Sequence, residues 1–360
     1  MMDLTLIPAG GMAWLDASGP DGGIVLSTRV RLARNLAGHA FPGRSDAAHR
    51  AETLEEVVRA ARKTGQLGNA ALYRLDDLTP QDRQILHERH LVSRELIAPE
   101  RAGRSAALLT NGLVGAMVNE EDHLRLQALT SGFALAEAYG GLDQLDTELG
   151  ERLPFAFHEE FGYLTSCPTN AGTGLRASVL IHLPGLVLTK EIGRVLQGLS
   201  QVGLTYRGLY GEGSEVVGNF FQLSNQTTLG KSEAELLDHL ATMVRKVIEY
   251  EEEARHRLQT EAPMVIADKV WRAYGLLRHA RSLSFEEAMN LLSAVRLGVG
   301  LGLISRLSVY TLNTLLVSTQ PAHLARMTGR EVTSPELSAD RATFVRQQLT
   351  EDAERLLDDQ

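Results

Sequence analysis

The hydrophobic pattern changes character near residue 232. Before it, short apolar runs at 23–30, 112–118, 178–183 and 217–224 read as strands, while 51–63 and 131–139 carry apolar residues at helical spacing. After it, 233–259, 263–280, 284–297, 307–317 and 335–357 predict helices, with breaks at Pro263, Gly300, Gly302, Pro321 and Pro335. No strand pattern occurs in that second part. The pattern therefore predicts a Gly- and Pro-punctuated irregular segment over 1–23, an α+β catalytic domain over 24–255 and an all-helical domain over 256–360.

Composition narrows the function classes. At 360 residues, with 44% hydrophobic and 22% charged side chains, the chain is neither disordered nor a low-complexity fibre. A net charge of −9 argues against non-specific nucleic-acid binding, which needs a basic surface. One cysteine excludes an internal disulfide and the usual cysteine-rich zinc site, so no metal ligand set is expected. The start has no basic-then-apolar leader pattern, and no run of about 20 apolar residues occurs. The expectation is a cytoplasmic protein without membrane contact. Only five of the 36 basic residues are Lys, so arginine dominates the positive charge. Charge is also uneven: 331–360 carries a net −5 and 261–330 a net +4, which suits either a solvated face or a docking surface.

The common nucleotide motifs fail. Gly230-Lys231-Ser232 ends like a phosphate loop, but the glycine required five residues earlier is Asn225. Gly211-Glu212-Gly213 lacks its third glycine, because position 216 is Val216. The arginines are more informative. In Ser27-Thr28-Arg29-Val30-Arg31, strand alternation puts Ser27, Arg29 and Arg31 on one face, and adjacent guanidinium groups repel unless an anion lies between them. In Asn119-Glu120-Glu121-Asp122-His123-Leu124-Arg125, an unbroken strand would put Glu121, His123 and Arg125 together and turn Glu120 away. Cys167 opens a Pro/Gly-rich loop that feeds the strand after Arg176, where backbone amides could stabilise a thiolate. Arg207-Gly208-Leu209-Tyr210-Gly211-Glu212-Gly213 is a glycine-rich loop able to close over a ligand.

These motifs, STRVR (27–31), NEEDHLR (119–125), CPTNAGTGLRAS (167–178) and RGLYGEGSE (207–215), occur in the order and spacing found in the ATP:guanidino phosphotransferases, and the chain resembles that family from about 24 to 330. The resemblance implies a glutamine-synthetase-like antiparallel sheet flanked by helices and transfer of the ATP γ-phosphoryl group to a guanidino nitrogen. It implies a nucleotide site of Ser27, Thr28, Arg29, Val30, Arg31, His90, Arg125, Arg176, Ala177, Ser178, Val179, Leu180, Arg207, Gly208, Leu209, Tyr210, Gly211 and Glu212, with Mg²⁺ carried by the ATP. Glu121 and Glu212 would hold the guanidinium, with Cys167 assisting as a thiolate. STRVR begins only 27 residues in, without the helical domain of roughly 100 residues that precedes it in kinases of free guanidino compounds.

That short lead, and MNLLSAVRLGVGLGLI at 289–304, make the chain most similar to the family's bacterial protein-arginine kinases. This implies protein substrates with accessible arginines, a zinc-finger activator, a Clp-type protease, a homodimer and a stress-response setting. The alternatives are a kinase for a free guanidino compound and a nucleotide-binding adaptor without turnover. The phosphoarginine pocket of that branch carries RDxxRA in the last helix. Here the stretch is Leu337-Ser338-Ala339-Asp340-Arg341-Ala342, so only Arg341 and Ala342 fit and the pocket is expected to be degenerate.

Overall fold

The computed structural model describes residues 9–98, 103–209 and 216–358. The first apolar run becomes β1 (Val25–Arg34), in which every residue is buried except Arg29 and Arg31. Chain order continues through α1 (Ala47–Ala61), β2 (Ala71–Arg74), α2 (Pro80–Glu88), α3 (Arg94–Ile97), β3 (Ala107–Thr110), β4 (Val114–Val118), β5 (Leu124–Ser131) and α4 (Leu135–Gly150). A minimal hairpin of β6 (Phe157–His158) and β7 (Gly162–Tyr163) follows, then β8 (Leu175–His182), α5 (Pro184–Leu188), α6 (Ile192–Gln201), β9 (Leu204–Arg207) and β10 (Phe220–Asn225). The remainder is helical: α7 (Glu233–Glu261), α8 (Pro263–His279), α9 (Phe285–Gly300), α10 (Val309–Ser318), α11 (Pro321–Thr328) and α12 (Leu337–Asp358).

The sheet order is β2-β3-β4-β5-β1-β8-β10-β9. The β1–β5, β2–β3, β3–β4 and β4–β5 pairings are antiparallel, with Arg29 opposite Leu129 and Arg31 opposite Gln127. This is the expected sheet flanked by helices with a helical C-terminal region. One helix differs. Proline at 321 predicts a break, yet Pro321 starts α11, because proline lacks an N–H that the first helical position does not need. That helix ends on Gly329 in the left-handed region at φ +69. Four helix starts follow side-chain capping chemistry: Asp46, Thr79, Ser284 and Ser308 accept the backbone N–H three residues on at the starts of α1, α2, α9 and α10.

The chain divides into two compact units. The first comprises Ser27–Val179, Ser224–Ala241 and the described residues before Leu15. Within it Arg34 is almost fully buried: its Nη2 donates to Asp146 Oδ2 at 2.6 Å, Nη1 to the carbonyls of Ala33 and Thr173, and its guanidinium lies 3.4 Å over the Tyr163 ring. A single arginine thus ties β1 to α4, β7 and the loop before β8.

The second unit comprises Leu15–Leu26, Leu180–Leu223 and the described residues from Thr242 onward. Its apolar core joins Leu26, Leu180, Leu209 and Phe220 to Val270, Leu277, Met289, Leu292, Val295, Leu312 and Val345 of the helices. Set in it is a buried polar network. Arg296 donates to the carbonyls of Gly22 and Gly23, to Asn313 Oδ1 and to His182 Nδ1, while His182 Nε2 lies 2.8 Å from Ser293 Oγ. Among the described residues no helix is long and apolar enough to cross a membrane.

Candidate active site

The segment 119–123 is a turn, not a strand. Asn119 takes φ +57, its N–H bonds to the His123 carbonyl at 3.0 Å, and the Glu120 N–H bonds to the Asp122 carbonyl at 3.1 Å, closing the β4–β5 hairpin. This corrects the expected side-chain phase. Glu120 does not face away: it is fully buried, and Arg125 Nη1 donates to its Oε1 at 2.6 Å while Nη2 donates to Glu121 Oε2 at 3.1 Å. Ser93 Oγ also donates to Glu120 Oε1. His123, expected beside Arg125, belongs elsewhere. Its Nδ1 accepts from Leu36 N–H and its Nε2 donates to the Ala40 carbonyl, so burial holds it neutral and it pins the chain after β1.

Four of the predicted phosphate-binding arginines share one electrostatic environment. Burial and the charges of Arg176 and Arg125 pull the Arg29 guanidinium down to about 10. Burial, then Arg29, Arg125 and Arg176, pull Arg31 well below its ordinary value, with Glu120 as the opposing influence. Burial alone would lower Arg125, but Glu120, Glu121, Asp122 and Glu95 outweigh it and the net shift is upward. The buried Nε of Arg31 has no hydrogen-bond partner among the described residues. Mutually repelling guanidinium groups with a spare donor suit an anion with several oxygens. His90 sits at φ +58 after α2, edge-on to Trp14 at 5.2 Å, and burial followed by Arg29 pushes it down to about 3. Its carbonyl accepts from Gln127 Nε2 at 2.9 Å, joining it to β5.

The acid side of the site is linked to the Cys167 loop. Ser166 Oγ donates to the Glu121 carbonyl at 2.7 Å, and Ser166 N–H donates to Asp122 Oδ1 at 2.7 Å. Asp122 in turn accepts from Asn35 Nδ2 at 2.6 Å. Burial, offset by Arg125 but reinforced by Asp122, Glu120 and Glu95, raises the Glu121 carboxyl. That is the direction a proton acceptor needs. Cys167 is half-buried, with Sγ 3.0 Å from Thr169 Oγ1. Two glycines make its loop possible: a Cβ on Gly172 would lie 2.5 Å from the Thr228 carbonyl oxygen, and one on Gly174 would lie 2.6 Å from that of Ala33.

The other predicted residues are distributed as follows. Ser27, Thr28 and Val30 are buried in β1, Thr28 Oγ1 donating to the Gly132 carbonyl at 2.7 Å. Ala177, Ser178 and Val179 are buried in β8 next to half-buried Arg176, and Ser178 Oγ lies 3.4 Å from the Arg29 carbonyl. Leu180, Arg207, Gly208 and Leu209 belong to the second unit, where Arg207 ends β9 and Leu180 and Leu209 are core. Tyr210, Gly211 and Glu212 lie outside the described residues. Arg341 and Ala342 lie in the first turns of α12; Ala342 is core, and Arg341 is buried with Nε on the Thr319 carbonyl and Nη1 on that of Leu283. Glu120 and Asn35 escaped the sequence reading. The only signal for Glu120 was a carboxylate beside the predicted one. Among the described residues no group of three or more His, Cys, Asp or Glu side chains could hold a metal ion.

The chain is similar to known proteins over most of its length. Residues 52–254 match the family model of the ATP:guanido phosphotransferase C-terminal catalytic domain, and residues 263–358 match that of the protein-arginine kinase McsB C-terminal domain. The chain is 49% identical over 340 residues to a protein-arginine kinase of Symbiobacterium thermophilum, covering 94% of this chain and 96% of that one. It is 46% identical to the protein-arginine kinase of Moorella thermoacetica, covering 93% and 97%. Among solved structures it is similar to the duplicated taurocyamine kinase of Schistosoma mansoni, with a TM-score of 0.59 and 29% identity over 70% of this chain and 35% of that one. It is also similar to a lombricine kinase, with a TM-score of 0.55 and 26% identity over 66% and 70%.

Proposed function

The chain belongs to the ATP:guanido phosphotransferase family, and on that premise we propose that it is a protein-arginine kinase, moving the γ-phosphoryl group of ATP onto arginine side chains of polypeptides. The observation that supports this most directly is the group of Arg29, Arg31, Arg125 and Arg176, three of them with shifted basicity and Arg31 with a spare buried donor, set beside paired carboxylates. Such a site suits a polyphosphate on one side and a cation on the other. The phosphate oxygens are held by guanidinium forks, which grip two oxygens at once where an ammonium would act only as a point charge.

The chemical difficulty is the acceptor. A guanidinium is protonated at neutral pH and has no free electron pair on nitrogen. In our reading Glu121, together with Glu212, holds the guanidinium so that one terminal nitrogen faces the γ-phosphorus. The nitrogen–phosphorus bond forms, the bond to the bridging oxygen of ADP breaks, and the nitrogen's proton passes to Glu121. Cys167 places a polarisable sulfur beside the cationic acceptor and forms no covalent intermediate. Glu120 acts through Arg125, fixing its fork from a fully buried position. Positioning and charge neutralisation carry most of the acceleration, as expected for phosphoryl transfer. Mg²⁺ accompanies the nucleotide. A zinc-finger activator, a Clp-type protease acting on the marked clients, and a homodimer complete the proposal.

The test is incubation with ATP, Mg²⁺ and a denatured protein, with free arginine in parallel, followed by mass spectrometry under conditions that preserve acid-labile P–N bonds. Phosphoarginine in the polypeptide supports the proposal. Phosphorylation of free arginine alone would assign the chain to small guanidino compounds, and nucleotide binding without either product would make it an adaptor.

A further inference from the structure

A cavity of 770 Å³ opens beside Glu121, walled by Phe41, Arg44, Arg104, Glu121 and Ser166. Two of those residues do not fit the chemistry just described. The acceptor is itself a cation, and arginines facing its entry would repel it. Neither Arg44 nor Arg104 forms an ion pair or side-chain hydrogen bond with any described residue.

Both arginines nevertheless stand on anchored backbone. The turn that carries Arg44 is closed by its own N–H on the Phe41 carbonyl at 2.8 Å, and the preceding residues are pinned by His123 through Leu36 and Ala40. The Phe41 ring is edge-on to His123 at 6.0 Å. Arg104 is fixed on either side: Gly103 N–H donates to Asp76 Oδ1 at 2.9 Å, and the Ser105 carbonyl accepts from Asn119 Nδ2 at 3.0 Å. Two cationic side chains thus rise from fixed backbone at the wall of a cavity that also contains the proposed proton acceptor.

We propose that Arg44 and Arg104 are specificity-determining residues that grip carboxylate side chains flanking the target arginine, so that the enzyme selects arginines in acidic stretches of polypeptide. The proposal rests on the protein-arginine kinase reading and adds its substrate preference. Acidic neighbours offset the repulsion between the two arginines and the incoming guanidinium, and they orient the chain so that the target reaches Glu121.

The experiment uses the full-length enzyme, ATP with Mg²⁺, and three peptides that differ only in whether a single arginine is flanked by Glu, Gln or Lys, with free arginine as a fourth acceptor. The wild type is expected to rank Glu above Gln above Lys, with kcat/KM roughly three- to tenfold higher for Glu than for Lys and the difference lying in KM. Arg44→Glu and Arg104→Glu should reverse that order, and Arg44→Lys should keep it. If a charge reversal fails to fold, Arg44→Gln and Arg104→Gln should make the three peptides equivalent. Equal rates on the three peptides with the wild type, or an unaltered ranking in both charge-neutral variants, would overturn the proposal. So would an effect of these variants confined to free arginine, which would place the gripped carboxylate on the small molecule. No phosphoarginine on any peptide would remove the kinase reading and this inference with it.

Discussion

Arg125 and Glu120 form a close ion pair inside the first unit, Nη1 to Oε1 at 2.6 Å, with the carboxylate fully buried. The second fork nitrogen of Arg125 reaches Glu121, so one arginine holds two consecutive acidic side chains that a regular strand would have turned to opposite faces.

Glu120→Gln is therefore expected to be severe. Removing the charge leaves Arg125 facing Arg29 and Arg31 without its nearest anion, and breaking one side of a buried ion pair costs about 3–5 kcal/mol where no new partner forms. The loss should show in nucleotide affinity and in thermal stability together. A variant with normal ATP affinity and only a small loss of turnover would return Glu120 to the background position that strand alternation gave it.

Glu121→Gln should behave differently. The side chain is more than a third exposed, so the fold should tolerate it, and ATP affinity should stay close to that of the wild type. Turnover should fall by roughly 10² to 10⁴, the range for loss of a general base. The pH profile supplies a second check. Burial raises the Glu121 carboxyl above the ordinary carboxylate value, and a base works only when deprotonated. Activity should therefore rise with pH through a limb displaced upward from about 4.3, and that limb should vanish in the variant.

How far the site could be read in advance depended on backbone regularity. β1 keeps its alternation from Ser27 to Arg31, so Arg29 and Arg31 were legible from the pattern of two. The hairpin at 119–123 was not, because Asn119 in a left-handed conformation destroys the period that the phase argument assumed. Arg34 lies three residues beyond Arg31 in the same strand, but its role depends on Asp146, 112 residues away, which no local pattern reveals. α11 was hidden by its first residue, since proline reads equally as a break or as a beginning. Arg296 and His182, 114 residues apart, are likewise joined only by the fold.

His182 provides a prediction about stability. Arg296 Nη1 can only donate, so Nδ1 of His182 accepts and Nε2 carries the proton toward Ser293 Oγ. Protonating Nδ1 would turn an N–H against a guanidinium; burial first, and then Arg296 and Arg255, hold the folded pKa well below 6.5. The sign follows from proton uptake. The unfolded chain binds a proton near 6.5 and the folded one does not, so stability is full above that pH and declines as pH falls below it. The slope from this residue reaches at most about 1.4 kcal/mol per pH unit. His182→Gln should lower stability at pH 8 yet flatten the acid side by roughly 1 kcal/mol between pH 6.5 and 5.5 in urea titrations. An unchanged slope would show that His182 is not the group taking up the proton.

The last prediction concerns phosphoarginine and α12. A pocket for it at 337–342 would need forks and carboxylates turned outward, but Arg341 places Nε on the Thr319 carbonyl and Nη1 on that of Leu283, and Leu337 is buried in a small apolar cluster with Leu324 and Ala325. Asp340, the carboxylate within that stretch, accepts from Arg330 Nε at 2.6 Å. An arginine whose donors already serve backbone carbonyls has little left for a phosphate, and an exposed ion pair contributes only about 0–1 kcal/mol. Free phosphoarginine should therefore bind the helical region of the full-length protein weakly and activate the kinase little. Rebuilding the missing pair is not a simple remedy either. Leu337→Arg would place a charge in the cluster of Leu324 and Ala325 and should lower the melting temperature, whereas Ser338→Asp alone should be tolerated on the helix surface. Calorimetry of full-length wild type with free phosphoarginine decides the matter: micromolar binding that disappears in Arg341→Ala but survives in Glu121→Gln would mean that Arg341 gives up its carbonyl partners to the ligand.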